Sequence, residues 1–164
     1  MRTSDSFLAL AEELEGDARE LERLLGHNRR AWERIAGGAT DPIDWGALGF
    51  TLHSAYGIVE NYFLRVSKFF ENNLDADRWH KALVEKMGLE IPGLRPALLS
   101  DEKAKRQAME LLKFRHRFRN LYGEDLDPEK TAEIQRIAQE FFPAFAMLHA
   151  GFVAKLRALA RELG

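Results

Sequence analysis

Positions 115–122 of this chain carry Arg115, His116, Arg117, Arg119, Asn120 and Tyr122, inside the stretch LLKFRHRFRNLYGEDLD from Leu111 to Asp127. No acid stands between Glu110 and Glu124. Two arginines one helical turn apart present planar, permanently charged forks that suit phosphate oxygens. A histidine beside them can take or give a proton near neutral pH. Phosphate binding coupled to proton transfer is the chemistry these residue types could perform. The competing reading is a basic helix face paired with acids of a neighbouring helix, because most surface charge runs are simply solvated.

A helix must position them. At about 100° per residue, Leu111, Phe114, Phe118 and Leu121 gather on one side and the Arg/His/Asn/Tyr patch begins at the edge of that stripe. A patch at such an edge is expected in a groove between helices, where polar side chains are partly desolvated. Ser100 is placed to cap this helix, with Lys103 where a full capping box would hold an acid. The helix is expected to end near Tyr122, with Gly123 free to take a left-handed C-cap. Asp127 then caps a further helix, with Pro128 at its first position and Glu129 in its first turn.

The rest of the chain also reads as helix. Ser4 or Asp5 can start a first one, with Phe7, Leu10, Leu14, Leu21, Leu24 and Leu25 at three- and four-residue steps, running to about Ile35. Gly37 to Pro42 breaks the pattern. A second helix starts near Pro42 or Ile43 and runs to about Asn72, with a broad apolar face from Leu48 to Phe70. His53, Tyr56 and Glu60 lie on neighbouring turns of it and read better as a buried polar network than as catalysts. Asn72 to Asp75 reads as a turn. A short third helix covers about 76–88, with Trp79, Leu83, Val84 and Met87 inward. His80 on it reads as structural, though it could approach the arginine patch. Gly88 to Pro96 is an irregular loop anchored by Ile91 and Leu94. The last helix carries Ile134, Ile137, Phe141, Phe142, Phe145, Leu148, Phe152, Leu156 and Leu159, with a kink expected at Pro143 and His149 read as a satisfied core histidine. No strand signal appears. The fold class is all-α, an up-and-down bundle of four long helices and one short one. Residues 1–40 form a bundle member or an extension, and residues 41–164 the main helical domain.

The composition narrows the function. At 164 residues with 46% hydrophobic and 30% charged residues, the chain has the size and balance of one domain with a real core. Its net charge of −2 rules out nucleic-acid affinity through overall charge. Local charge is another matter: Lys103 to Arg119 holds seven lysines and arginines against Glu110 alone, while the acids concentrate in Glu12–Glu33 and Glu124–Glu140. With no cysteine, disulfides and thiolate metal sites are excluded, which fits a reducing cytoplasm. No apolar run approaches the roughly 18 residues of a membrane span, and the N-terminus turns acidic where a secretory signal would be apolar. The five histidines, at 27, 53, 80, 116 and 149, show no metal-ligand spacing, and no phosphate loop, serine elbow or zinc helix is present. Neither metal nor cofactor is expected.

The arginine-rich stretch resembles the signature of HEPN-domain proteins, in particular the HepT-like toxins: Arg, four to six residues, His, one residue, Tyr. Arg115, then HRFR, then Asn120, Leu121 and Tyr122 has that spacing. LGFTLHSAYGIVENYF, RWHKALVEKM and EIPGLRPALLS extend the resemblance, in order, over about 48–142. The resemblance implies a HEPN-like bundle and a homodimer whose two motif helices line one cleft. It implies the toxin component of a type VII-like toxin–antitoxin system that cuts RNA without metal, the 2′-hydroxyl attacking the adjacent phosphate. On that reading Arg115, Asn120 and His116 hold the catalytic positions, and Arg119, Arg117 and Lys113 bind RNA. The partner would be an MNT-type nucleotidyltransferase antitoxin that adds AMP to Tyr122. The family's catalytic His is here Asn120, which cannot shuttle a proton near pH 7, so cleavage is expected to be weak. The alternatives are a non-catalytic module that keeps the nucleotidyltransferase partner, and a purely structural helical dimer with a basic groove.

Overall fold

The computed structural model describes residues 2–71, 79–93, 95–121 and 125–164. Five helices make up the fold: α1 (Ser4–Ala36), α2 (Pro42–Phe70), α3 (Trp79–Met87), α4 (Glu102–Arg119) and α5 (Pro128–Leu163). Among the described residues no strand forms; a single antiparallel bridge joins Ile91 and Arg95.

The helix starts follow side-chain chemistry. Asp41 and Asp127 accept the first free N–H groups of α2 and α5, each with a proline in the first turn. Two other starts differ from the sequence reading by one residue. Thr3, not Ser4 or Asp5, caps α1, because its hydroxyl accepts from Ser6 N–H while the Ser6 hydroxyl accepts from Thr3 N–H. Asp101, not Ser100, caps α4, because its carboxylate reaches the Lys103 N–H at 3.0 Å. The expected turn at Asn72–Asp75, the start of α3 before Trp79, Leu94 and the Gly123 cap lie outside the described residues.

The four long helices form a ring in the order α1, α2, α4, α5, each packed on its two neighbours, and α3 fills the junction of α2 and α4. The core runs through the ring: Leu14 of α1, Leu52, Tyr56 and Phe63 of α2, Leu83 of α3, Leu111 of α4, and Phe141, Phe145 and Leu156 of α5 are all at most 1% exposed. Truncating one of these phenylalanines would cost roughly 3–5 kcal/mol. The α5 helix continues as helix through Pro143. By length and composition α5 is the described helix apolar enough to cross a membrane, but Phe141, Phe145, Phe152 and Leu156 are spent on the bundle core.

Polar groups fix the register of this ring. Asn28 of α1 donates to Thr51 of α2 at 3.0 Å and to Gln135 of α5 at 2.9 Å, and Gln135 donates back at 2.8 Å. His149 is a satisfied core histidine, 7% exposed, with Nδ1 at 2.8 Å from the Tyr62 hydroxyl. Of the two apolar anchors expected for the loop after α3, only Ile91 lies among the described residues. Ile91 is only half-buried. Arg95 is 2% exposed and bonds the Glu71 carboxylate at 2.7 Å and the Lys86 carbonyl at 2.7 Å, beside buried Leu98 and Leu99. This ion pair ties the end of α2, the end of α3 and the loop together, and so fixes where α3 meets α2 and α4.

Candidate functional site

On α4 the buried residues are Ala104, Ala108, Leu111 and Phe114, steps of four, three and three that face the ring. Arg115 follows at the edge of this stripe and reaches across to α2. There His53, Gly57 and Glu60 lie on one helix face, four and three residues apart. Each contributes something different. The His53 carbonyl accepts from Arg115 Nη1 at 2.9 Å. The His53 ring nitrogens lie 3.1 and 3.2 Å from the same Nη1. Gly57 supplies space: a Cβ there would stand 2.8 Å from Nη1 and 3.1 Å from Cζ, so any other residue would push against the guanidinium. Glu60 supplies charge, with Oε1 at 3.9 Å from Arg115 Nε.

Burial sets the electrostatics. The Arg115 side chain keeps 21% of its surface exposed. Desolvation lowers its pKa from the usual arginine value, Glu60 opposes that, and Arg119 adds to it. The His53 imidazole is held below its ordinary pKa by burial first, then by repulsion from Arg115 and Arg119. It is therefore a neutral ring beside which the Arg115 guanidinium can lie, and it rests 4.9 Å from the Phe118 ring. Tyr56, one turn before Glu60 and fully buried, has its phenol pushed far up by burial and by Glu60. Its hydroxyl has no hydrogen-bond partner among the described residues. It is a neutral phenol throughout the accessible pH range.

Outside this clasp lies a groove of about 780 Å³ between α2, α3 and α4. Arg115, His116, Arg117, Arg119 and Lys113 all line it, so five of the residues singled out in the sequence share one surface. Glu60, His80 and Lys81 close its opposite side, and Met109 and Leu112 give it apolar wall. Among the described residues of the patch, the expected desolvation holds for Arg115 alone. His116, Arg117, Arg119 and Asn120 are exposed among the described residues.

Asn120 is not among the residues lining the groove. The α4 helix ends at Arg119, short of the expected Tyr122, and Asn120 is its C-cap at φ −107°, ψ 17°. The Asn120 side-chain amide donates to the His116 carbonyl at 2.8 Å, which satisfies one of the carbonyls a helix end leaves open. Tyr122 lies outside the described residues.

The residues underrated by sequence reasoning are on α2 and α3. Glu60 is 6% exposed and bonds His80 Nδ1 at 2.8 Å. The signal for the α2 part was the spacing of His53, Gly57 and Glu60 on one face. Nothing in the sequence places His80 beside Glu60, since that depends on how α3 docks.

The site can hold an anion. Arg115 is clamped through Nη1, while its Nη2 makes no bond to the described residues and the cations of α4 stand beside it. A phosphodiester is the ligand that a partly desolvated guanidinium close to Arg119 suits, while Lys113 of the same groove is paired with Glu110 at 3.0 Å.

The model of a family described as HepT-like protein matches residues 47–156, more than half of the chain and every residue named in this site. No curated protein and no solved structure matches the chain.

Proposed function

Because the chain belongs to the HepT-like family of HEPN-domain proteins, we propose that it is the toxin-type component of a toxin–antitoxin pair. It is an RNA-cleaving scaffold in which Arg115 holds the scissile phosphate. The single observation that carries this reading is the clasp of Arg115. One motif residue is partly buried, is positioned by His53, Gly57 and Glu60 of another helix, and still presents donors to a basic groove.

In this proposal Arg115 neutralises the phosphate, Arg119, Arg117 and Lys113 bind the RNA backbone, and His116 orients the phosphate. The 2′-hydroxyl attacks without a metal. Asn120 stands where the resemblance puts the family's proton-transfer His, so cleavage is weak. The protein works in the cytoplasm as a homodimer, with an MNT-type nucleotidyltransferase that adds AMP to Tyr122. An adduct there would bring negative charge and bulk to the end of the motif helix and block RNA.

One observation favours a second reading, a binding module that keeps the partner without cutting. The Asn120 amide is committed to the His116 carbonyl, so the residue serves the helix end. Cleavage of single-stranded RNA by the native chain and by Asn120→His separates the two. The scaffold reading expects the His form to gain about 10²–10⁴ in rate, the usual worth of a general acid or base, with growth arrest on expression. RNA left intact by both forms would favour the binding module, whose mark would be an AMP mass shift on Tyr122 in the presence of the nucleotidyltransferase and ATP.

A further inference from the structure

We infer that His80, oriented by Glu60, takes the 2′-hydroxyl proton in this groove. The inference rests on the RNA-cleaving reading above and says which group performs the chemistry in a chain that has Asn120.

Two histidines line the groove, His80 and His116. They differ in how they are held. His116 is exposed, and its ring has no hydrogen bond among the described residues. His80 is fixed twice. Its Nδ1 lies 2.8 Å from Glu60 Oε2, and the Glu60 side chain is 7% exposed. Its ring also stacks on Trp79 with centroids 3.7 Å apart and planes at 27°. A buried carboxylate on Nδ1 keeps the proton there and leaves the lone pair on Nε2. Carboxylate–imidazole pairs of this kind orient general bases, and the carboxylate stabilises the imidazolium that forms. The His80 side chain is 38% exposed, so Nε2 is open to a ligand, and it has no partner among the described residues.

Glu60 also faces Arg115 Nε at 3.9 Å. One carboxylate on α2 thus sets the base on α3 relative to the phosphate-binding arginine on α4. Were the pair only a means of neutralising Glu60, Arg115 beside it would already supply a cation, and His80 would not need to line the groove.

His80 Nε2 takes the proton of the 2′-hydroxyl, and O2′ forms a bond to phosphorus. The P–O5′ bond breaks with its electron pair on O5′, which takes a proton from water. The imidazolium returns its proton to the hydroxide left behind. The products are a 2′,3′-cyclic phosphate and a free 5′-hydroxyl, and nothing is oxidised or reduced.

The test uses the full chain and a mixed-sequence single-stranded RNA, with the cyclic phosphate as readout. His80→Ala and His80→Gln are expected to cut about 10²-fold more slowly than the native chain at unchanged RNA affinity. Added imidazole restores cleavage to His80→Ala, where the ring has left a gap, and not to His80→Gln. Glu60→Gln lowers kcat by about tenfold, the scale of an orienting partner. A His80→Ala form that cuts at the native rate overturns the inference. So does a native chain that leaves RNA intact while Asn120→His cuts it, which keeps the ribonuclease scaffold and removes His80 from it. No cleavage by any form, Asn120→His included, overturns the ribonuclease reading and this role with it.

Discussion

Arg95 and Arg115 are both guanidinium groups drawn out of water by the same fold, and they end in opposite states. Arg95 is 2% exposed with all three nitrogens engaged, on the Glu71 carboxylate and on the carbonyls of Lys86 and Pro96. Arg115 keeps 21% of its side chain exposed, bonds through Nη1 alone among the described residues and holds Glu60 only at 3.9 Å. A buried cation with a partner on each of its three nitrogens closes the fold, since each bond offsets part of the desolvation cost. One with donors left over has incurred that cost without full return, and an anion that enters the groove completes the set. The difference separates a staple from a site, although residue type alone would group the two.

The comparison can be broken most forcefully at Arg95. Replacing Arg95 with Ala should destabilise the fold by about 3–5 kcal/mol, because the buried Glu71 carboxylate loses its main partner. Arg95→Lys should not restore this, since an ammonium cannot match the fork that reaches a carboxylate and a carbonyl together. Urea unfolding measures both, and a loss below about 1 kcal/mol would show that Arg95 is no staple.

The comparison can be sharpened at Gly57. A methyl group there would meet Arg115 Nη1 at 2.8 Å and displace it. Alanine is the better helix former by about 1 kcal/mol. Gly57→Ala should therefore leave the melting temperature equal or higher while RNA affinity falls by roughly tenfold, the worth of about 1.4 kcal/mol. An unchanged affinity would mean that the clasp does not position Arg115.

The smallest effect is in pH. The His53 pKa is depressed by burial and by Arg115 and Arg119. Between that depressed value and the unfolded value of about 6.5, the unfolded chain binds more protons than the folded one. Stability from this group is therefore fully present above about pH 6.5 and declines as the pH falls through the window. His53→Gln should flatten that slope in unfolding measured from pH 7.5 to 5. A slope equal to the native one would assign the proton to another group.

Much of this molecule was legible in its sequence. The five helices, their order and the Asp41–Pro42 and Asp127–Pro128 starts are local signals. So is the basic face of α4, because periodicity and capping act within a few residues. What was not legible depends on contacts between distant segments. Arg95 falls in a loop that reads as irregular, and its burial is set by Glu71 and by the end of α3. Asn120 reads as a substitution in a motif, and the structure shows it also capping a helix. The pairing of His80 with Glu60 follows from the docking of α3, which no period encodes. The exposure of His116, Arg117 and Arg119 escaped as well, since a helical wheel shows which residues share a face and not whether another helix covers it.

The most direct test of the central claim, that the clasped Arg115 is the phosphate anchor, is the affinity of single-stranded RNA for the native chain and for Arg115→Ala across a salt titration. The account predicts binding at least about tenfold weaker for the variant and a log–log salt slope shallower by about 0.7, the worth of one phosphate contact on a single strand. Equal affinity and equal slope in the two proteins would contradict it.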